Sequence, residues 1–342
     1  MRRLMVLLAA VAALLIPVPA SAVSQRPVGV VQNFGPPLAA SCHNPEGIAI
    51  DPTGNLYAAS FAFQPVANIC VVNQEGALVD IIPIPAGQAG IASLLGELFE
   101  PGQGLYVLDF ANGASGNGRL LRVNPATHAV TVVATGFQAP NALVQDRHRN
   151  LYVSDSFQGA IYKIAPDGSK TVWKQDPRLA PQLGGSPPFG ANGVAFDRNQ
   201  RFLYVATTSD SKIYRIPVLN DGSAGDLQLF ASGEAIDAAQ GTTEALHGAD
   251  GIMFDVSGNL YILANSAQHP NPGLPGELQV LSPDGRLIAR YDGTGVNDLD
   301  FPASLAFHGK ALYMTNLSLT DGGVNSKLSM MGVPFPGEPL RP

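Results

Sequence analysis

One pattern recurs six times along the chain and limits what it can fold into. It is a short apolar run, a polar turn that often holds Asp or Gly, then Leu-Tyr and a second apolar run. Five copies are PEGIAIDPTGNLYAAS (45–60), PNALVQDRHRNLYVSDS (140–156), ANGVAFDRNQRFLYVATT (191–208), ADGIMFDVSGNLYILAN (249–265) and PASLAFHGKALYMTN (302–316). A weaker copy ends in GLYVLDF (104–110). Third strands follow in GAIYKIAPDGS (159–169), SKIYRIPV (211–218) and GELQVLSPDGR (276–286), and fourth strands in TVVAT (131–135) and LQLFAS (227–232). Apolar runs of four to six residues between Gly, Pro, Asn and Asp turns are strand signals. Repeated sets of four short strands are the sequence form of propeller blades. The chain therefore reads as an all-β protein, a six-bladed β-propeller closed by an N-terminal strand around Val28–Asn33 that supplies the outer strand of the last blade. Closure removes the sheet edges an open array would expose. Two β-sandwiches would leave six Leu-Tyr copies unexplained.

Composition agrees. The 342 residues include 37 Gly and 28 Pro, both poor in helix interiors, with 46% hydrophobic residues. The net charge of −7 gives no basic footprint for a nucleic-acid partner. Met1-Arg2-Arg3, the apolar run Leu4–Pro17 and Ala20-Ser21-Ala22 read as a secretory signal peptide over 1–22. The mature chain is then a single propeller domain, 23–342, without a membrane span, secreted or periplasmic. In an oxidising compartment Cys42 and Cys70 form a disulfide rather than a reactive thiol or a zinc site.

The first strand of every blade lines the axis, so equivalent positions there converge. Aligning the copies places Glu46, Asn141, Asn192 and Asp250 at one such position. The sixth blade has Ala303 there and the second has Leu94 or Leu95. Asp, Glu and Asn make up 46 of the 342 residues, so chance places fewer than one in six positions. Two carboxylates and two amides are hard oxygen donors of the kind Ca²⁺ takes, with other divalent cations as alternatives. Carboxylates crowded at an axis repel without a cation.

The PEG, APN, ANG and ADG starts, with their NLYV-type second strands, resemble the gluconolactonase/senescence-marker-protein/luciferin-regenerating-enzyme family over residues 27–333. Paraoxonases and NHL-repeat propellers share the architecture. The resemblance implies a divalent cation, usually calcium, in the central channel and hydrolysis of a small-molecule lactone or ester. It implies metal ligation by Glu46, Asn192 and Asp250, and contact of Asn141 with metal, its water or substrate. Asn141 is followed by Ala rather than Gly, and the second blade is degenerate; both depart from the pattern.

In such a site Asp250 and His247 are the candidates for orienting or deprotonating water. His43 bears the same relation to Glu46. His269 borders the entrance, and His128, His148 and His308 read as outer turns. Segments 176–191, 233–249 and 264–276 are the expected walls, with Phe61, Phe63, Phe110 and Phe157 as an apolar lining. Asp109 and Asp155 read as turn residues, and Trp173 as core or blade surface. Asn316-Leu317-Ser318 fits a glycosylation sequon, and DGTGVNDLD (292–300) reads as a solvated turn. There is no GxSxG elbow and no phosphate loop. The alternative to a hydrolase is a non-catalytic extracellular propeller with a structural cation.

Overall fold

Four copies of the repeat, at Asp51, Asp146, Asp197 and Asp255, close on their own Asp. Asp51 accepts hydrogen bonds from the Thr53 and Asn55 backbone N–H (2.8 and 3.0 Å), the Asn55 side chain (2.9 Å) and the Tyr57 hydroxyl (3.3 Å). Asp146 repeats this with His148, Asn150 and Tyr152. Asp255 does so with Ser257 and Asn259. The Asp-to-Asn-Leu-Tyr spacing is thus a hairpin turn whose side chains satisfy its backbone. The Leu and Tyr that follow start a strand alternating between the two faces of the sheet.

The computed structural model describes residues 27–185, 187–266, 276–292 and 299–339. The expected leader at 1–22, His269, most of the expected wall segment 264–276 and most of the Asp-rich 292–300 stretch lie outside the described residues. Six four-stranded antiparallel sheets form a ring, a six-bladed β-propeller. Blade 1 runs Pro45–Ile50, Leu56–Ser60, Val66–Val72, Leu78–Pro85 from the axis outward. The other innermost strands are Leu94–Glu100, Pro140–Gln145, Ala191–Phe196, Ala249–Phe254 and Pro302–His308. Gln32–Phe34 pairs with Lys327–Gly332 as the outer strand of blade 6, so the two ends of the chain close the ring.

The core is divided among the seams between blades. Among the described residues there are six apolar clusters, each drawing on two neighbouring blades. One joins Tyr57 and Ile69 of blade 1 to Leu94 and Val107 of blade 2, and another joins Tyr204 and Ile213 to Ile252 and Leu260. Hydrophobic burial therefore holds blade to blade around the whole circle.

Cys42 and Cys70 are joined by a disulfide inside the seam between blades 6 and 1, where both are fully buried. It closes a sequence separation of 28 residues, and the chain-entropy model gives such a loop about 3 kcal/mol. The Cys42→Ala/Cys70→Ala variant is expected to lose about that much stability, melting several degrees lower in a thermal scan. An unchanged melting temperature would show that the seam holds without the crosslink.

Two expectations are settled by packing. His308 is not an outer turn: it ends the innermost strand of blade 6 and lines the channel. It is the last paired residue of that strand, opposite Ala311 across the hairpin. Asn316 is fully buried and donates to the Ser329 hydroxyl (2.8 Å), so the sequon is inside the sheet.

Candidate metal centre

All six innermost strands carry a register irregularity near their first residues, as between Pro45 and Ile48 or Ala191 and Val194. The residue at that irregularity sits where neighbouring blades approach most closely. A Cβ on Gly193 would fall 2.2 Å from the Asp250 carbonyl oxygen, and one on Gly47 would fall 2.1 Å from that of Leu95. Gly96 and Gly251 meet Asn141 and Ala303 in the same way. These contacts fix the axial ring as Glu46, Leu95, Asn141, Asn192, Asp250 and Ala303, with Leu95 rather than Leu94 in blade 2.

Blades 3 and 6, which lack the glycine, use a different contact. Ser154 accepts from the Ala142 backbone N–H (3.0 Å) and donates to the Asn192 carbonyl (2.7 Å). Thr315 does the same between Ser304 and the Glu46 carbonyl (3.0 and 2.5 Å). A hydroxyl bridge thus replaces direct backbone contact where Ala142 or Ser304 widens the gap. Asn141 keeps its place in the ring despite the alanine after it.

The four polar axial residues are 3–5% exposed. Glu46 Oε2, Asn141 Oδ1 and Asp250 Oδ1 are buried with no hydrogen-bond partner. Asp250 Oδ2 accepts from the Asn265 amide (2.7 Å), whose own oxygen accepts from Ser266 (2.7 Å). Asn192 donates to Thr208 (3.0 Å), which donates to the Ala249 carbonyl (2.9 Å). These contacts fix the Asp250 and Asn192 side chains while leaving acceptor oxygens free, an arrangement that suits a hard cation. Among the described residues no three His, Cys, Asp or Glu side chains form a group able to hold a metal; the candidate set relies on its two amides.

Burial raises the Glu46 carboxyl well above its ordinary range, and the Asp250 and Glu97 carboxylates push it further. Asp250 is pushed up to about 8 by burial, against the lowering effect of the neighbouring Asn265 and Asn192 amides. Glu97 is raised by burial alone. It was missed because it does not stand at the axial position of blade 2. It lies two residues on, where the other blades have Ile48, Leu143, Val194, Ile252 and Leu305. A carboxylate at an otherwise aliphatic repeat position is the signal that would have found it. Asn265, the last residue of its repeat copy, was also missed.

His247 stands on the loop entering blade 5, half-buried, with Nδ1 2.9 Å from the Ser266 carbonyl and 3.0 Å from Glu244. His43 is exposed beside Gly323. Neither has a hydrogen bond to the axial set. Asp109 accepts from the Ser93 and Ala111 backbone and pairs with Arg119, and Asp155 accepts from the Gln138 and Ala139 backbone, both as turn residues. Trp173 packs edge-on against Tyr152 and donates to the Gly222 carbonyl (2.9 Å).

Phe61, Phe63, Phe110 and Phe157 follow second strands at the end of the ring where the axial residues sit. They form one cluster, with ring centroids 4.7–5.8 Å apart along the series Phe61–Phe63, Phe61–Phe110 and Phe110–Phe157. Phe189, from the loop before blade 4, stacks on Phe157 at 5.5 Å. The entrance thus has an aromatic side over blades 1 to 3. The segment 233–249 includes an α-helix, Gly233–Gln240.

A comparison with curated proteins matched none. Three solved structures share the fold over most of their length. A gluconolactonase from Xanthomonas campestris is 18% identical, covering 91% of this chain and 99% of its own, with a TM-score of 0.60. A calcium-binding regucalcin from Agrobacterium tumefaciens is 15% identical over 93% and 97%, with a TM-score of 0.61. A luciferin-regenerating enzyme is 14% identical over 91% and 98%, with a TM-score of 0.63. At such identities the likeness is one of fold. Residues 189–318 match the model of the SMP-30/Gluconolactonase/LRE-like region, a stretch that holds Asn192 and Asp250. The chain is a six-bladed propeller that is similar, over residues 189–318, to the SMP-30/Gluconolactonase/LRE-like region.

Proposed function

We propose that the chain is a divalent-cation-dependent hydrolase of small lactones or esters, with calcium as the first choice of cation. The observation that carries this reading is the set of partnerless axial oxygens on Glu46, Asn141 and Asp250, beside Asn192. These four residues would hold the ion. When bound, it would polarise a carbonyl oxygen and stabilise developing negative charge. Asp250, anchored through Oδ2 by Asn265, presents Oδ1 as an acceptor that can orient a water or take its proton. Asn141 is placed to hold a substrate oxygen or a water through its amide. The phenylalanine cluster supports a substrate with an apolar portion. His247, held at Nδ1 by Ser266 and Glu244, keeps Nε2 as the only ring nitrogen able to act as a base, and with no hydrogen bond to the axial set it is the second candidate after Asp250.

Export through the 1–22 leader, leaving 23–342 as one propeller, belongs to the same proposal; the buried disulfide supports an oxidising compartment. No helix among the described residues is long and apolar enough to cross a membrane.

One observation favours a second reading: the axial residues are 3–5% exposed, as expected for a structural ion in a binding propeller. Assay on a lactone panel and phenyl acetate separates the two. Under the hydrolase reading, chelation abolishes turnover and added calcium restores it. If calcium raises the melting temperature while no substrate turns over, the ion is structural. If calcium changes neither, the axial set is not a cation site.

A further inference from the structure

A cavity opens at the end of the channel opposite the axial ring, among the turns that join first and second strands, and reaches up to Gly96, Ala142, Gly193, Gly251 and Ser304, the residues next to that ring. It holds about 720 Å³, the size of a small-molecule site. Its inner wall is aliphatic in five blades, from Ile48, Leu143, Val194, Ile252 and Leu305, and carboxylic in the remaining one, from Glu97. Glu97 is 9% exposed, and neither of its carboxylate oxygens has a hydrogen-bond partner. Buried carboxylates are ordinarily paired, because the uncompensated charge is costly in apolar surroundings. Among the described residues around the cavity, Asp51, Asp197 and Glu338 stand against one guanidinium, Arg198, whose N–H donates to the Val256 carbonyl (3.3 Å), and one imidazole, His308. The field in the chamber is therefore negative and favours a cation.

We propose that this lower chamber binds an organic cation with an apolar tail, its ammonium group paired with the Glu97 carboxylate. An alkylammonium satisfies both halves of the chamber. Its N–H donors meet the two partnerless oxygens, and its tail covers the five aliphatic side chains. A neutral alcohol of the same length gains the second contact but not the charge pair, and a carboxylate is repelled. The chamber lies below the axial ring and requires no hydrolytic activity, so it stands independently of the hydrolase reading.

The test is calorimetric titration of the purified full-length chain, loaded with calcium, with n-octylamine hydrochloride, n-octanol and octanoate in turn. The amine is expected to bind at least about tenfold more tightly than the alcohol, the increment of a charge-assisted hydrogen bond, and octanoate not at all. Glu97→Gln should bring the amine to the affinity of the alcohol, leaving alcohol binding unchanged, while calcium still raises the melting temperature. Val194→Phe, which narrows the chamber, should weaken amine and alcohol together; it provides a second probe if Glu97→Gln does not fold. Absence of amine binding, equal affinities for amine and alcohol, or an unaltered amine affinity in Glu97→Gln would each overturn the proposal. So would loss of the calcium response in Glu97→Gln, which would assign Glu97 to the axial ring instead.

Discussion

Asp250→Asn is expected to lower turnover in the proposed lactone or ester hydrolysis by about 100-fold or more and to abolish any rise in melting temperature on adding calcium, through loss of one of two carboxylate donors at the axis. The same substitution has the opposite effect on the cation-free protein. Asp250 is fully buried and pushed up to about 8, so in chelator the native state holds a proton that the unfolded chain releases near the ordinary carboxylate range. Its contribution to stability is fully present below that range and is lost as pH rises toward about 8. Above that pH the wild type carries an uncompensated buried charge, which the neutral Asn does not. Melting in chelator between pH 5 and 9 should show the wild type losing stability along this slope, by an amount on the order of a few kcal/mol, with Asp250→Asn flatter and more stable at the alkaline end. A variant less stable than wild type at every pH, with or without calcium, would mean that Asp250 is a packing residue and not a cation ligand.

Gly193→Ala is expected to produce the largest structural effect of a single methyl group. The added Cβ would lie 2.2 Å from the Asp250 carbonyl oxygen and 2.8 Å from the Ile252 nitrogen. Both are backbone, so no side chain can swing aside and blades 4 and 5 must separate. Overpacking of this kind costs about 3 kcal/mol. It displaces Asn192 and Asp250 together, so calcium should bind at least about tenfold more weakly, read as a smaller shift in melting temperature. The fold itself supplies a rescue. Blade 3 tolerates Ala142 because the Ser154 hydroxyl bridges to the next blade, and Ala206 occupies the position in blade 4 that corresponds to Ser154. Gly193→Ala/Ala206→Ser should therefore recover part of the loss, whereas Ala206→Ser alone should not stabilise. If Gly193→Ala melts like the wild type, the close approach of the two strands is relaxed in solution.

The six blades were legible because the repeat is local. An Asp that caps its own turn, an Asn that donates back to it and the Leu-Tyr that begins the next strand all lie within seven residues, as from Asp51 to Tyr57. Such contacts form within one hairpin and leave a fixed spacing in the sequence. The axial residues were legible for the same reason: a common offset from the repeat start places Glu46, Asn141, Asn192 and Asp250 in equivalent positions, whatever the ring's dimensions. The closing strand followed from the arithmetic of four strands per blade, which left the last blade one short.

Other features depend on what distant segments bring together. Glu97 is two residues from the position the repeat marks, and only the channel places it near Glu46 and among five aliphatic neighbours. His247 has the spacing of a candidate base, and the groups that hold its Nδ1, Ser266 and Glu244, are not implied by that spacing. Phe189 completes the aromatic cluster from a loop with no fixed offset. The sequence by itself determined the number of blades, their turns and the polar set facing the axis, because each is a short-range or periodic property. Tertiary structure alone decided which oxygens of that set are left without partners, and that the wide end of the channel lies opposite to them, because burial and free valence are properties of six blades packed against one another.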